Sequence, residues 1–145
     1  MKQVDQIESV VVEEFAFVQR WPGFSEPRID RSIGCVTVVR YFSSEFALEI
    51  ELDWHETVVS ALVARLDGGA LPDGYYVAKG RRCRAYVERL LGGVKSLPSS
   101  QRAVLAEHGL KGYGAERMER QAKAYAALIR ESGPAILTRA AQVLT

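Results

Sequence analysis

Hydrophobic positions along this chain follow two periods, one after the other. Val4, Ile7, Val11, Phe15 and Val18 recur three and four residues apart, with Glu8, Glu13 and Glu14 mostly off the stripe. That spacing predicts an amphipathic helix from Val4 to Arg20, ended by Pro22, which disfavours helical geometry at Trp21. Gly23 to Gly34 is polar, contains Pro27 and is expected to be a loop. The period then becomes two. Cys35 to Phe42 is rich in β-branched and aromatic residues and is expected to be a strand. Phe46, Leu48, Ile50, Leu52 and Trp54 alternate with Ala47, Glu49, Glu51, Asp53 and His55, which predicts a strand with one buried and one solvent-facing side. Thr57 to Leu66 is expected to be a third strand, apolar on both faces.

Turn clusters follow at Asp67-Gly68-Gly69 and Pro72-Asp73-Gly74, and Tyr75-Tyr76-Val77 is a candidate short fourth strand. Helical spacing returns in Arg81 to Leu91 through Cys83, Val87, Leu90 and Leu91, with Gly92-Gly93 as a stop. Pro98-Ser99-Ser100 starts a short helix over Gln101 to His108. Ala115 to Glu131 predicts a further helix with Met118, Ala122, Tyr125 and Ile129 on one face. Ser132-Gly133-Pro134 is expected to interrupt it, with Pro134 in the first turn of a last helix to Val143. Strands grouped together and then helices grouped together predict an α+β fold: an N-terminal helix, an antiparallel sheet of three to four strands, and a C-terminal group of helices. The chain is expected to be one domain over residues 1–145, with 98–145 as a candidate helical subdomain.

Composition narrows the class. The chain has 145 residues, 48% hydrophobic and 26% charged, which is ordinary globular usage and argues against disorder. Val10–Val12 runs into Glu13 and Glu14, and Val58–Ala64 ends at Arg65; a membrane span needs about 20 apolar residues, so no membrane partner is expected. The start Met1-Lys2-Gln3-Val4-Asp5 lacks the apolar core of a signal peptide. Cys35 and Cys83, without CxxC spacing, are expected to be reduced thiols of a cytoplasmic protein.

The net charge of +1 conceals an asymmetry. Residues 1–75 carry 6 basic and 13 acidic residues, a balance of −7; residues 76–145 carry 13 basic and 5 acidic, a balance of +8. Such a distribution bears on partners more than on fold.

Three constellations bear on chemistry. Glu49, Glu51, Asp53 and His55 share one strand face, where carboxylates and an imidazole could bind a divalent cation or act as acid and base. Strand alternation alone also places polar residues there. Lys79, Arg81, Arg82 and Arg84 crowd a turn and helix start, with Arg89 and Lys95 beyond and Tyr75, Tyr76 and Tyr86 interleaved. Cations with aromatic faces suit a partner, an anion or single-stranded nucleic acid. A nucleic-acid domain is usually basic throughout, which this near-neutral chain is not. Gly109-Leu110-Lys111-Gly112-Tyr113-Gly114 precedes a helix, but it is neither GxxxxGKS/T nor GxGxxG and reads as punctuation between helices. No GxSxG occurs, and His55 and His108 have no motif partners. Cys83 lies between two arginines yet falls on an apolar stripe, as a small buried hydrophobe would. No motif implies a metal or a cofactor.

In size and class the chain is similar to the small α+β immunity-type proteins with which bacteria neutralise toxins. The resemblance is one of architecture and carries no residues across. The dipolar charge distribution and the lack of a catalytic constellation lead to the expectation of a non-enzymatic protein-binding module, an inhibitor or adaptor of that kind, using Lys79, Arg81, Arg82, Arg84, Tyr75 and Tyr76. One alternative is a nucleic-acid- or phosphate-ligand-binding protein using the basic segment 79–95. The other is an enzyme or metal binder on the acidic strand face 49–55.

Overall fold

A computed structural model describes residues 2–106 and 114–144. The fold is α+β. Helix α1 spans Lys2–Glu14, and the chain tightens into a 3-10 turn over Ala16–Arg20 before Pro22. Five strands form one antiparallel sheet: β1 (Arg28–Ile33), β2 (Val36–Phe42), β3 (Phe46–Asp53), β4 (Val58–Arg65) and, after a small side hairpin of β5 (Val77–Ala78) and β6 (Arg81–Arg82), β7 (Arg84–Tyr86). Their order is β1-β2-β3-β4-β7. Helix α2 (Val87–Leu90), a 3-10 turn at Val94–Ser96, α3 (Ser99–Leu105) and α4 (Gly114–Val143) follow. Among the described residues no helix is long and apolar enough to cross a membrane.

The alternation of β3 is the centre of the fold. Phe46, Leu48, Ile50 and Leu52 join Val39 and Tyr41 of β2 and Val59, Ala61 and Val63 of β4 in one core. Ile7 and Val11 of α1, Phe15 just after it, and Met118, Ala122, Ile129 and Ile136 of α4 close over it. Trp54 is only partly buried at its edge. The opposite face differs from a solvent-facing one: Ala47 and Ala64 pack with Leu66 beneath Phe42 and Leu71.

Four expectations are corrected. The segment Gly23–Gly34 holds the edge strand β1, paired with β2 through Ile29↔Val39 and Asp30↔Val38 and irregular between Asp30 and Ile33. An edge strand has one paired side and little burial, so it shows no apolar alternation. Tyr75-Tyr76-Val77 contributes only Val77 to a strand, β5. The stretch Arg81–Leu91 is not one helix; its first half forms β6, which pairs with β5, and β7, which takes the open edge of β4 at Leu62, Val63 and Ala64. Tertiary pairing there overrides a helical stripe. Finally, α4 runs unbroken through Ser132-Gly133-Pro134. Pro134 cannot bond to the carbonyl four residues back, but that loss falls on the exposed side at Arg130 and Pro134, where water can reach it. Gly133 is there for packing: a Cβ on it would lie 2.4 Å from Cζ2 of Trp21.

The β3–β4 turn is docked on α4 by Arg117, which is 2% exposed. Its guanidinium donates to the carbonyls of Glu56 and Thr57, each at 3.2 Å, and to the Thr57 hydroxyl. Those bonds hold Thr57, a β-branched residue, at φ +53° in the left-handed region.

Two outcomes test this packing. Leu48→Ala should lower the unfolding free energy by about 2–5 kcal/mol in urea denaturation, and a loss under 1 kcal/mol would contradict its place in the core. Tyr41 is fully buried and its hydroxyl meets no partner among the described residues, so burial raises its pKa. An unpaired buried hydroxyl costs about 1–3 kcal/mol. Tyr41→Phe should therefore leave the melting temperature unchanged or raised; a clear drop would show that the hydroxyl is satisfied.

Candidate functional site

The outer face of the sheet, away from α1 and α4, carries both charged sets singled out above. Cross-strand register puts Arg40 of β2 opposite Glu49 of β3. Glu49 is 1% exposed. Arg40 Nε donates to Glu49 Oε2 at 2.8 Å and its Nη1 to Asp30 Oδ2 at 3.0 Å. Arg84 reaches the same carboxylate from β7, Nε to Oε1 at 2.5 Å and Nη2 to Oε2 at 3.1 Å. A line of alternating charge thus crosses the sheet: Asp30, Arg40, Glu49, Arg84. Side-chain and backbone donors of Ser32, then Arg40, hold the Asp30 carboxyl down to about 2. Burial works against the charge of Arg84, and Glu49 restores it.

The segment 67–83 folds over this line. Arg84 Nη1 donates to the carbonyl of Tyr75 at 2.5 Å and to that of Gly74 at 3.3 Å. The Cys83 thiol donates to the same two carbonyls, at 3.4 and 3.6 Å. Gly74 is required at this bend, because a Cβ there would sit 1.8 Å from the carbonyl oxygen of Val77. The hairpin turns at Lys79-Gly80 with φ +54° and +75°, the left-handed pair of a type I′ turn.

Three tyrosines are fixed on top. The guanidinium of Arg84 lies 4.8 Å from the Tyr75 ring centroid. The Tyr75 hydroxyl donates to both oxygens of Glu51, at 2.6 and 2.8 Å. Burial raises the Glu51 carboxyl pKa, and the bond from Tyr75 opposes that rise. The hydroxyls of Tyr76 and Tyr86 are 2.8 Å apart. The rings of Tyr75 and Tyr76 meet edge to face with centroids 4.4 Å apart.

The residues singled out from sequence therefore separate. Tyr75 and Tyr76 are exposed and share one surface. Arg84 is a buried strut rather than a binding cation. Lys79 is exposed but bridges Asp67 at 3.1 Å, and Arg81 and Arg82 stand at the hairpin, exposed and half-buried. Arg89 and Lys95 are exposed elsewhere on the surface. Arg65, Lys79, Arg81 and Cys83 border a cleft of about 480 Å³; Asp67 lines it too and bridges Lys79, which leaves Arg65 and Arg81 as its net positive charge.

On the acidic strand, each carboxylate is engaged: Glu49 with arginines, Glu51 with Tyr75, and Asp53 with the backbone N–H groups of His55 and Glu56. His55 is exposed in the turn. Among the described residues no three His, Cys, Asp or Glu side chains converge as a metal site requires. His108 and the glycine-rich run Gly109–Tyr113 lie outside the described residues. Cys35 is exposed on the β1–β2 turn and Cys83 is buried. Sequence reasoning passed over Arg40 and Asp30. The available signal was one arginine inside the apolar strand Val38-Val39-Arg40-Tyr41, which needs a carboxylate across from it.

Comparison of the chain with protein-family models, with curated proteins and with solved structures finds no match.

The clamp has a direct test. Glu49→Gln keeps the shape and removes the charge, leaving Arg40 and Arg84 facing each other in a nearly dry site. Breaking one side of a buried pair costs about 3–5 kcal/mol, so chemical denaturation should show a loss of that size. A change below 1 kcal/mol would mean that water reaches the pair.

Proposed function

We propose that the protein is a non-enzymatic protein-binding module that docks its partner on the cluster Tyr75, Tyr76, Val77 and Tyr86. One observation carries this: Tyr75, Tyr76 and Val77 are 44%, 41% and 55% exposed, while both tyrosines are pinned by hydrogen bonds and by a buried charge network beneath them. Exposed aromatic rings are the side chains that dominate interface energies. Rings already held in place lose little conformational freedom on binding, so more of their contact free energy is left for affinity. Glu51 and Asp53 on one side and Arg81 and Arg82 on the other give the rim both signs of charge, which favours orientation of a protein partner over capture of a polyanion. The finer form of the proposal is an inhibitor or adaptor of the immunity type, acting in the cytoplasm.

Tyrosines beside Arg81 and Arg82 also suit a stacked single-stranded nucleic acid. The carboxylate bonded to Tyr75 counts against that reading, since it would face the phosphates.

The test is differential. Wild-type protein and the double variant Tyr76→Ala, Val77→Asp are used as bait in extract of the native cells, with melting temperatures checked first. Tyr76→Ala removes the edge-to-face contact with Tyr75 and the bond to Tyr86, so a loss of about 1 kcal/mol is expected, and binding is compared with the variant shown to be folded. A partner retained by the wild type should be lost from the variant; equal retention would place docking elsewhere. A gel shift whose strength falls steeply between two salt concentrations would favour nucleic acid instead.

A further inference from the structure

The sheet ends at β1, and among the described residues no strand lies beyond it. Hydrogen-bond alternation fixes where its free backbone groups point. In β2 the Cys35 carbonyl accepts the Trp54 N–H at 2.9 Å on the β3 side, and the Phe42 carbonyl accepts the Ser25 N–H at 2.8 Å on the other side. Backbone groups of an antiparallel strand alternate between its two neighbours, so Val38 and Arg40 bond toward β1. Their partners there are Asp30 and Arg28. Ile29, between those two, therefore turns its N–H and C=O away from the sheet, and its side chain is 37% exposed. Beyond it the register slips between Asp30 and Ile33, and the Asp30 carboxylate takes the Ser32 N–H at 2.9 Å. The regular open edge is short, so a strand added to it needs help from its side chains.

That help lies beside the edge. A groove of about 400 Å³ runs between α1 and β1, with Val12 and Ile29 as its apolar part and Asp5, Glu8, Glu13 and Arg31 as its charged part. Glu8 is 4% exposed and takes both bonds from Arg31, at 2.5 and 3.0 Å. Asp5 and Glu13 are exposed. Three carboxylates against one guanidinium leave the groove a balance of −2.

The residue of an added strand that exchanges backbone bonds with Ile29 points its side chain to the same face, toward α1. A lysine or arginine there lays its methylenes along Ile29 and Val12 and carries its charge to Asp5 and Glu13. An acidic segment is repelled. A second copy of the chain brings its own Asp5, Glu8 and Glu13 to the same face of the joined sheet, so two acidic flanks oppose each other. We infer that the β1 edge takes an extended basic segment of a protein partner as a sixth strand, with lysine or arginine at alternate positions on the α1 side. The edge lies across the sheet from β7 and the tyrosine cluster, so this surface stands apart from the docking proposed there.

The test uses the full chain and synthetic peptides. The probe is an acetylated, amidated pentapeptide that alternates lysine and threonine, lysine first. Its lysines share one face, and their N–H groups point to β1 when they lie opposite Ile29. Hydrogen exchange at the Ile29 amide is followed by NMR as the peptide is added, and saturation should slow it at least about ten-fold. N-methylation of the lysine amides should abolish binding, while N-methylation of the threonine amides, which point away, should leave it within about two-fold. A peptide with glutamate in place of lysine should bind at least about ten-fold more weakly, and the double variant Asp5→Asn, Glu13→Gln should lose about five-fold in affinity for the lysine peptide. Unchanged exchange at Ile29, equal binding of the lysine and glutamate peptides, or equal binding of the two methylated forms overturns the inference. So does an Ile29 amide already protected in protein that sediments as a dimer without peptide, which would make the occupant a second copy. None of these outcomes involves Tyr76 or Val77, so the two proposals fail separately.

Discussion

Glu49 keeps a carboxylate almost out of contact with water because Arg40 and Arg84 meet it from opposite sides. Each of those contacts commits a different element. Arg40 ties β2 and, through Asp30, the edge strand β1; Arg84 ties β7 and, through the carbonyls of Gly74 and Tyr75, the segment that crosses the outer face. The carboxylate is therefore what gives a two-faced sheet a covered second side in place of a wet one. Desolvating such charges is expensive, and apolar residues of similar shape would often be at least as stable. What the charges do here is link particular elements, since Asp30, Arg40, Glu49 and Arg84 meet their partners where β1, β2, β3 and β7 lie side by side.

That clamp also resolves the charge asymmetry of the chain. Glu49 belongs to the acidic half and Arg84 to the basic half, and the fold uses one to neutralise the other. Lys79 and Asp67 repeat this at the surface, where a bridge has little energetic weight. The large opposing balances are thus partly spent inside the molecule. Arg81, Arg82 and Asp53 are left to shape the rim of a surface whose centre is aromatic.

Local pattern made some of this legible. β3 could be placed because Phe46, Leu48, Ile50 and Leu52 report burial on one side, and the helical stripes of α1 and α4 could be placed for the same reason. Burial on the other side could not. A glutamate on a strand looks the same whether water or two arginines face it, and Arg84 lies 35 residues away from Glu49 in the chain. The polar edge strand β1 left no period to detect. Residues 81–91 carried a helical stripe that the open edge of β4 overruled, and Pro134 marked a break that packing of Ile129, Ile136 and Ala140 on both sides prevents. Of the site, Tyr75 and Tyr76 are legible as aromatic faces interleaved with cations, but neither their exposure nor the burial of Arg84 is, and Glu88 cannot be paired with Tyr125 because α2 and α4 meet only in the fold.

The same hierarchy is the reason the docking surface proposed above centres on aromatic rings and not on the charges beside them. An exposed arginine such as Arg81 is screened by solvent and salt, so it can speed an encounter without fixing its geometry. Tyr75 and Tyr76 are anchored at both ends, by hydroxyl bonds above and by a backbone whose carbonyls are held by Arg84 and Cys83 below. Their position is thereby inherited from the Glu49 clamp, one hydrogen-bonded step removed. A partner that reads these rings is reading a surface whose order was established in the buried charge network, and a change at Glu49 would reach that surface without touching it.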